Sequence, residues 1–524
     1  MNPRTWRLCS SALAVCLLIS PTLAQDDIDR RLDDFIKAQS VASGALTPEQ
    51  LSEANRLLDE ISIGFNVAVE TEEKRHLDLL RIVGQARIRA WRGLSSGHGL
   101  EREEGLSERI MGSLRLRMGE TFRESLHNEI LLLPRLSPPE LRAGAALLLG
   151  TIEDERSTLA LLYATHDLDR DVRDCAAESV AGRDSAAVHS TFLKLLISVE
   201  AGELELTTMP LERHFQEVTP KAGSKGEELL FEFIRARLTA NDWRTSSRAI
   251  SMCAKLSDQR VAPLLIEAMN LWLTRKSAGL QAARVLGELE RALVNRSGLK
   301  LGQRPERWRT WWRSIKTNEN SPPTDQASAT RTQASFFGLR PMTDRVIFVL
   351  DGSGSMDTNF KSDRPQSNRS QSNRKKDTRF SEATDQLLSY LDDLGESTHF
   401  DVVIFNSKLR RFRGDLVPAN ERNLKSLREW IQKRPPDGGT DLKRGVLNAL
   451  SASKPKSLEA DTIIVLCDGE TTEGPGWITP FMRSFNEEAR VKCHAIQLGG
   501  RSDGALEALC EQTSGDYVEI RDRR

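Results

Sequence analysis

The sequence predicts a multidomain protein with an α-helical N-terminal region and a doubly wound, Rossmann-like α/β domain at its C-terminal end. Its length of 524 residues is enough for about three domains. Through residues 26–315, apolar residues recur at helical spacing, almost without the alternation that is typical of strands. After residue 338, short β-branched runs alternate with helical patterns, which indicates parallel strands covered by helices on both faces.

Residues 1–24 have the composition of a secretory signal peptide. Arg4 and Arg7 precede an apolar stretch at residues 8–19, and small residues then lead into an acidic segment. We therefore expect export to the periplasm, the cell surface or the medium. A buried helix and an uncleaved membrane anchor are the alternatives. No later stretch reaches the length of a membrane span, so we expect no transmembrane segment in the mature chain.

The charge balance indicates which partners to expect, and the cysteine content indicates whether to expect disulfides or metal sites. The 74 Lys and Arg residues nearly balance the 75 Asp and Glu residues, so no overall charge draws the chain to nucleic acid, and we expect no nucleic-acid partner. Five cysteines follow the signal segment, without the C-x-x-C spacing of metal sites. We expect buried free thiols, with one disulfide among the last three as the alternative.

The helical region, residues 25–316, contains an internal repeat. The pattern of Leu141, Arg142 and Ala145 recurs 31 residues later, beginning at Val172. This is the length of a helical hairpin, and the pattern resembles degenerate HEAT-type repeats, which implies an α-solenoid. A helical domain without repeats is the alternative. A stacked array would serve as a scaffold with an extended surface for protein partners.

Residues 317–338 are rich in Asn, Ser, Pro, Thr and Gln, which predicts a solvated polar linker. We place the second domain at residues 339–524. Its sheet should present ligands at the carboxyl ends of its strands, as parallel α/β sheets do. Strands are predicted at 345–350, 400–405, 462–466 and 492–498.

We expect three loops at strand ends to bring polar residues together and form a candidate metal site. The set has two carboxylates and three hydroxyls: Asp351, Ser353, Ser355, Thr440 and Asp468. Oxygen ligands without Cys or His suit a hard divalent cation, Mg²⁺ above all, with Mn²⁺ or Ca²⁺ as alternatives. For the first three residues alone, an N-capping turn is the other interpretation.

The Asp351-x-Ser353-x-Ser355 motif, with Thr440 before a helix and Asp468 after a strand, resembles the metal-ion-dependent adhesion site (MIDAS) of von Willebrand factor type A (VWA) domains. The resemblance covers residues 339–524 and implies a six-stranded doubly wound fold. In that family the two Ser and, when a ligand is engaged, the Thr bind the metal directly, while the two Asp act largely through water. An open coordination position then accepts an Asp or Glu from a partner protein.

A long insertion departs from the family pattern. Residues 359–379 contain seven Lys and Arg against two Asp. A disordered, solvated loop is the first interpretation, and electrostatic steering of acidic ligands toward the metal is the alternative.

We therefore predict an exported, metal-dependent protein-binding or adhesion-type protein, with the helical repeats as scaffold. We expect no enzymatic activity, because no candidate general base accompanies the predicted metal ligands. The sequence also shows no recognisable Ser-His-Asp or Cys-His arrangement. Two alternatives stay open: a metal-assisted hydrolase using Asp351 and Asp468, and a helical scaffold whose VWA domain is purely structural.

Overall fold

The computed structural model describes nine segments of the chain. The predicted signal segment, residues 1–24, lies outside them, as do residues 318–334 of the polar linker and residues 361–377 of the basic insertion. The chain divides into two compact units, residues 1–181 with 204–206, and residues 182–203 with 207–524. The described segments are residues 69–92, 98–116, 118–131, 137–218, 220–317, 335–360, 378–450, 458–469 and 471–522.

The described part of the first unit is helical. Glycines allow its helices to approach closely: a Cβ at Gly84 would lie 1.8 Å from the carbonyl oxygen of Glu140, and one at Gly144 would lie 2.0 Å from that of Leu80. Its helices are α1 (Val69–Arg92), α2 (His98–Leu116), α3 (Glu120–Leu131), α4 (Pro139–Gly150), α5 (Glu155–Ala164) and α6 (Arg170–Val180).

The two copies of the internal repeat fall on α4 and α6, which pack against each other. In both copies the arginine is buried and donates hydrogen bonds to the loop that follows the next helix. Arg142 donates to both carboxylate oxygens of Asp167 at 2.9 and 2.8 Å. Arg173 donates to the carbonyl oxygen of Glu205 at 3.0 and 2.7 Å. The repeated sequence pattern thus corresponds to a repeated contact.

The second unit joins seven further helices to the α/β domain. The last of these helices buries three aromatic side chains, Trp308, Trp311 and Trp312, in the hydrophobic core. None of the helices in the described segments is both long and apolar enough to span a bilayer. The seven helices are α7 (Ala186–Ala201), α8 (Met209–Glu217), α9 (Lys225–Leu238), α10 (Trp243–Met252), α11 (Asp258–Ser277), α12 (Ala283–Ser297) and α13 (Pro305–Thr317).

A seven-stranded sheet forms the centre of the α/β domain. Its order is β3-β2-β1-β5-β6-β7, with β4 paired to β2 outside that path. Five neighbouring strands are parallel: β2, β1, β5, β6 and β7. The short strands β3 and β4 run antiparallel to β2. The sheet therefore has one strand more than the six expected. The strands are β1 (Arg345–Asp351), β2 (His399–Phe405), β3 (Leu409–Arg411), β4 (Val417–Pro418), β5 (Thr462–Cys467), β6 (Lys492–Leu498) and β7 (Tyr517–Ile520).

Helices cover both faces of this sheet, because successive side chains of each buried strand point to opposite sides. Phe348 and Leu387 belong to the hydrophobic core on one face of the sheet, whereas Val349 and Leu509 belong to the core on the other face. The helices are α14 (Arg379–Leu394), α15 (Glu421–Gln432), α16 (Leu442–Leu450), α17 (Ile478–Phe481), α18 (Glu487–Ala489) and α19 (Ala505–Gln512), with a π-helical turn at Met482–Asn486.

An ion-pair cluster joins the helices to the α/β domain within the second unit. Buried Glu212 of α8 accepts hydrogen bonds from Arg490, at 2.9 Å, and from Arg248 of α10, at 2.8 Å. Burial alone would raise the pKa of Glu212, but the charges of Arg490 and Arg248 outweigh burial and lower it. Glu487 in turn accepts from the backbone N–H groups of Thr208 and Met209 at the start of α8.

Acidification should destabilise the second unit through His214. Burial, with a smaller contribution from His189, lowers the pKa of His214 to about 3, while its Nδ1 accepts the N–H of Gly182 at 3.1 Å. In the unfolded chain, His214 takes up a proton near pH 6.5, whereas in the folded chain it stays neutral at this pH. Stability present above pH 6.5 is therefore lost as the pH falls toward 3, by about 3 kcal/mol between pH 7 and pH 4.

The matched variant is His214→Asn, which keeps an acceptor for Gly182 but does not titrate. It should unfold more easily at pH 7, because the ring packing is lost, and show a smaller drop in unfolding free energy between pH 7 and pH 4. Urea unfolding at the two pH values measures both drops. Equal drops in the variant and the natural chain would contradict this role of His214.

Candidate metal centre

The candidate metal site lies at the carboxyl edge of the sheet. Asp351 is the last residue of β1, and Asp468 follows the last residue of β5. These strands are parallel neighbours with Leu350 opposite Leu466, so both carboxylates emerge at the same edge. Ligating atoms of Asp351, Cys467 and Asp468 lie within 4.8 Å of one another, and all three residues are buried.

The first loop places its two hydroxyls side by side. The N–H of Ser353 donates to Oδ1 of Asp351 at 2.8 Å, which holds the backbone in a tight turn after the strand. The Oγ atoms of Ser353 and Ser355 are 2.9 Å apart. Ser353 is buried and Ser355 is exposed, so the pair leads from the carboxylates toward the protein surface.

Backbone hydrogen bonds connect the loop of Thr440 to both other loops. The N–H of Gly354 donates to the carbonyl oxygen of Gly438 at 3.0 Å, and the N–H of Asp437 donates to that of Gly352 at 2.9 Å. On the other side, the N–H of Thr472 donates to the carbonyl oxygen of Thr440 at 3.1 Å. The structure therefore places half-buried Thr440 between the first and third loops.

Cys467 is a bonded neighbour of the site. Its thiol lies 3.1 Å from Oδ2 of Asp351 and donates to it. Burial, reinforced by the charge of Asp351, raises the pKa of Cys467 well above its usual range, so the thiol stays protonated. Burial also raises the pKa of Asp351 to about 6, against hydrogen bonds from Ser353 and Cys467. All five described cysteines are buried free thiols, as expected.

Arg379 is a site neighbour that the sequence did not reveal. Its Nη1 donates to Oδ2 of Asp468 at 2.9 Å and lies 3.4 Å from the carbonyl oxygen of Ser355. It is the first residue of α14 and the last of the basic insertion. In the sequence it is one cation among seven, and only its contact with Asp468 in the folded chain distinguishes it from the others.

The chemistry of these groups fits a hard divalent cation. Two buried carboxylates lie close together at one edge, and Arg379 supplies one positive charge to them. Burying two anions so close together is costly unless their charge is balanced. Asp351 and Asp468 would supply the negative charge for such a cation, while Ser353, Ser355 and Thr440 offer neutral oxygens. Such a donor set suits Mg²⁺ better than a soft metal.

Comparisons with known proteins agree with this fold. Residues 369–519 match the family model of the von Willebrand factor type A domain. The chain is 31% identical over 176 residues to human inter-alpha-trypsin inhibitor heavy chain H1, covering 32% of this chain and 17% of that protein. It is 29% identical over 195 residues to the Mesocricetus auratus H1 chain, covering 35% and 19%. The chain thus spans at most about a fifth of these curated relatives.

Among solved structures, an aerotolerance-related membrane protein from Bacteroides fragilis is 17% identical, with a TM-score of 0.25, covering 33% of this chain and 90% of that one. A point mutant of the PilB minor pilin from Streptococcus sanguinis is 13% identical, with a TM-score of 0.25, covering 35% and 59%. These likenesses are too low to carry a conclusion about this chain.

The C-terminal α/β domain is a von Willebrand factor type A domain, preceded in the chain by a helical region. The family match begins at residue 369, after the first metal loop. The interpretation of Asp351, Ser353 and Ser355 therefore depends on their own sequence and on their place at the end of β1.

Replacing Arg379 should strengthen magnesium binding. In Arg379→Gln, Mg²⁺ no longer competes with the guanidinium for the carboxylate of Asp468. The positive charge of the guanidinium no longer repels the ion either. A hydrogen bond between charged groups contributes about 1.5 kcal/mol or more, so we expect at least roughly tenfold tighter binding. Calorimetric titration of chelator-treated protein with MgCl₂ measures the change.

Arg379→Lys is the matched control, because it keeps the positive charge and should bind Mg²⁺ about as the natural chain does. Weaker binding by Arg379→Gln would show instead that Arg379 supports the site.

Proposed function

We propose that this chain is an exported protein whose VWA domain binds an acidic side chain of a partner protein through a divalent cation. Mg²⁺ is the expected ion, with Mn²⁺ or Ca²⁺ as alternatives. The observation that carries the proposal is that backbone hydrogen bonds join three loops around these residues. Two loops follow strands and carry Asp351, Ser353, Ser355 and Asp468, whereas the loop of Thr440 connects α15 to α16 and not, as expected, a strand to a helix.

Each side chain has a distinct part in this proposal. Buried Asp351 and Asp468 supply negative charge to the cation, and the family resemblance implies that they contact it largely through water. Ser353 and Ser355 offer hydroxyls as direct ligands, and Thr440 offers a third on the side that a partner approaches. Few direct ligands would then be charged. The bound cation supplies an electrophilic position that accepts a carboxylate oxygen of the partner's Asp or Glu.

The surface around the site is open enough for a protein partner. Ser355, Gly438 and Gly439 are exposed, and Thr440 is half-buried beside them. A side chain from another protein can therefore reach the outer rim without rearrangement of the core. We propose that the helical repeats act as a scaffold that positions the VWA domain or holds another partner.

The neighbours of the two carboxylates support binding over catalysis. The thiol of Cys467 donates to Asp351, and the guanidinium of Arg379 donates to Asp468. A protonated buried thiol and a guanidinium are poor general bases at neutral pH. The relatives named above are heavy chains of an inhibitor, and a role for this chain in protein binding agrees with that name. Export is proposed from the composition of residues 1–24.

Thr440 should separate partner capture from metal uptake. Because the family resemblance gives the Thr a direct contact in the ligand-engaged state, Thr440→Ala should lower capture of an extracellular partner by roughly tenfold, the loss of one strong hydroxyl contact. Magnesium uptake should fall less. Asp351→Ala should abolish both. Capture is measured by pull-down from the native extracellular fraction with and without Mg²⁺, and uptake by calorimetry.

Two matched variants serve as controls. Thr440→Ser keeps the hydroxyl and should restore capture, whereas Asp357→Ala changes an exposed carboxylate of the same turn outside the proposed ligand set. Capture that is insensitive to chelation, or unchanged by Asp351→Ala, would remove the metal-dependent function and favour a structural VWA domain.

A further inference from the structure

A cavity of about 580 Å³ lies within the second unit at the opposite edge of the sheet from the metal centre. Its walls come from α8, α10 and α12 on one side and from the segment leading into β6 on the other. Lys492, the first residue of β6, is among the lining residues. This volume is in the range of pockets that take small molecules.

Most acidic groups of the cavity wall already have partners. Glu212 accepts from Arg490 and Arg248, and Glu487 accepts from two backbone N–H groups of α8. Glu288 is ion-paired with Arg284, four residues before it on α12. These contacts stabilise the wall and leave little carboxylate capacity for other cations.

Lys492 is a buried cation of this cavity without a bonded carboxylate among the described residues. Its side chain is buried, with 8% of the residue exposed, and it makes no hydrogen bond or ion pair within the part of the chain that the structure describes. Arg284 and Arg291 repel it, while Glu288 and Asp516 attract it. Glu288 is bonded to Arg284, however, and the carboxylate of Asp516 is exposed to solvent. A buried ammonium without a bonded counter-ion is costly.

Five arginines line the same cavity, and three of them are ion-paired: Arg284 with Glu288, Arg296 with Asp258 and Arg490 with Glu212. Arg213 of α8 and Arg291 of α12 are exposed, and neither forms an ion pair with a described residue. The remaining acidic lining residue is exposed Glu511. Burial, with the charge of Arg284, lowers the pKa of Lys492 to about 8, so this amine is still mostly protonated at pH 7. The cavity therefore has an excess of positive charge around one buried ammonium.

We propose that this cavity binds a small organic anion, a carboxylate or a phosphate monoester, whose charged group pairs with Lys492. The apolar part of the ligand would lie against Ile250, Met482 and Val491, which line the same space. Arg291 at the wall would add a second, exposed cation. This site is independent of the metal centre and of the function proposed for it.

The experiment compares charged and neutral probes of one shape on the full chain. Phenylacetate and phenyl phosphate should show saturable binding by calorimetry, whereas phenylacetamide, the neutral counterpart of phenylacetate, should bind at least roughly tenfold more weakly. Lys492→Gln should lose roughly tenfold or more in affinity for the charged probes, and Lys492→Arg should retain more of it. Chelator and Asp351→Ala should leave this binding unchanged, which separates it from the metal site.

Lys425→Gln, at an exposed lysine of α15 away from the cavity, is the matched control and should bind as the natural chain does. If Lys492→Gln does not fold, Arg291→Gln tests the same site from an exposed position and should weaken binding of both anions. The proposal is overturned if neither anion saturates the natural chain, if phenylacetamide binds as tightly as phenylacetate, or if the substituted cations leave affinity unchanged.

Discussion

The pairing of β1 with β5 is the constraint on which the candidate site depends. Because the two strands are parallel and in register, Asp351 and Asp468 leave the sheet at the same edge and are buried close together. Their mutual repulsion needs a compensating charge, and the surrounding structure supplies it only in part. Cys467 donates to one carboxylate and Arg379 to the other. The cost of burying both carboxylates is the physical reason for the dication that we propose at this edge.

The same sheet connects to helices α8 and α10 of the second unit at its opposite edge. Glu212, Arg248 and Arg490 form a buried cluster in which one carboxylate is shared by two guanidiniums from different elements. Removing one partner of such a cluster would leave a buried charge unbalanced, which typically costs about 3 to 5 kcal/mol. The last helices and the VWA domain therefore form one compact unit.

The class of fold and the positions of the site residues could be predicted because their signals are local. The motif beginning at Asp351 lies within five residues of one strand end, and the four predicted strands coincide closely with β1, β2, β5 and β6. The short antiparallel β3 and β4 and the edge strand β7 carry weak periodicity, so they were not predicted. Arg379 lies 89 residues from Asp468, and only the folded chain shows that their side chains meet.

Crystals grown with Mn²⁺ and measured at the manganese absorption edge test the central claim most directly, since the anomalous signal locates the ion without reference to any partner. The account predicts one strong peak at the carboxyl edge of the sheet, in contact with the hydroxyls of Ser353 and Ser355 and flanked by Asp351 and Asp468. A map without a peak there, or with the ion bound elsewhere while Arg379 still holds Asp468, would contradict the account.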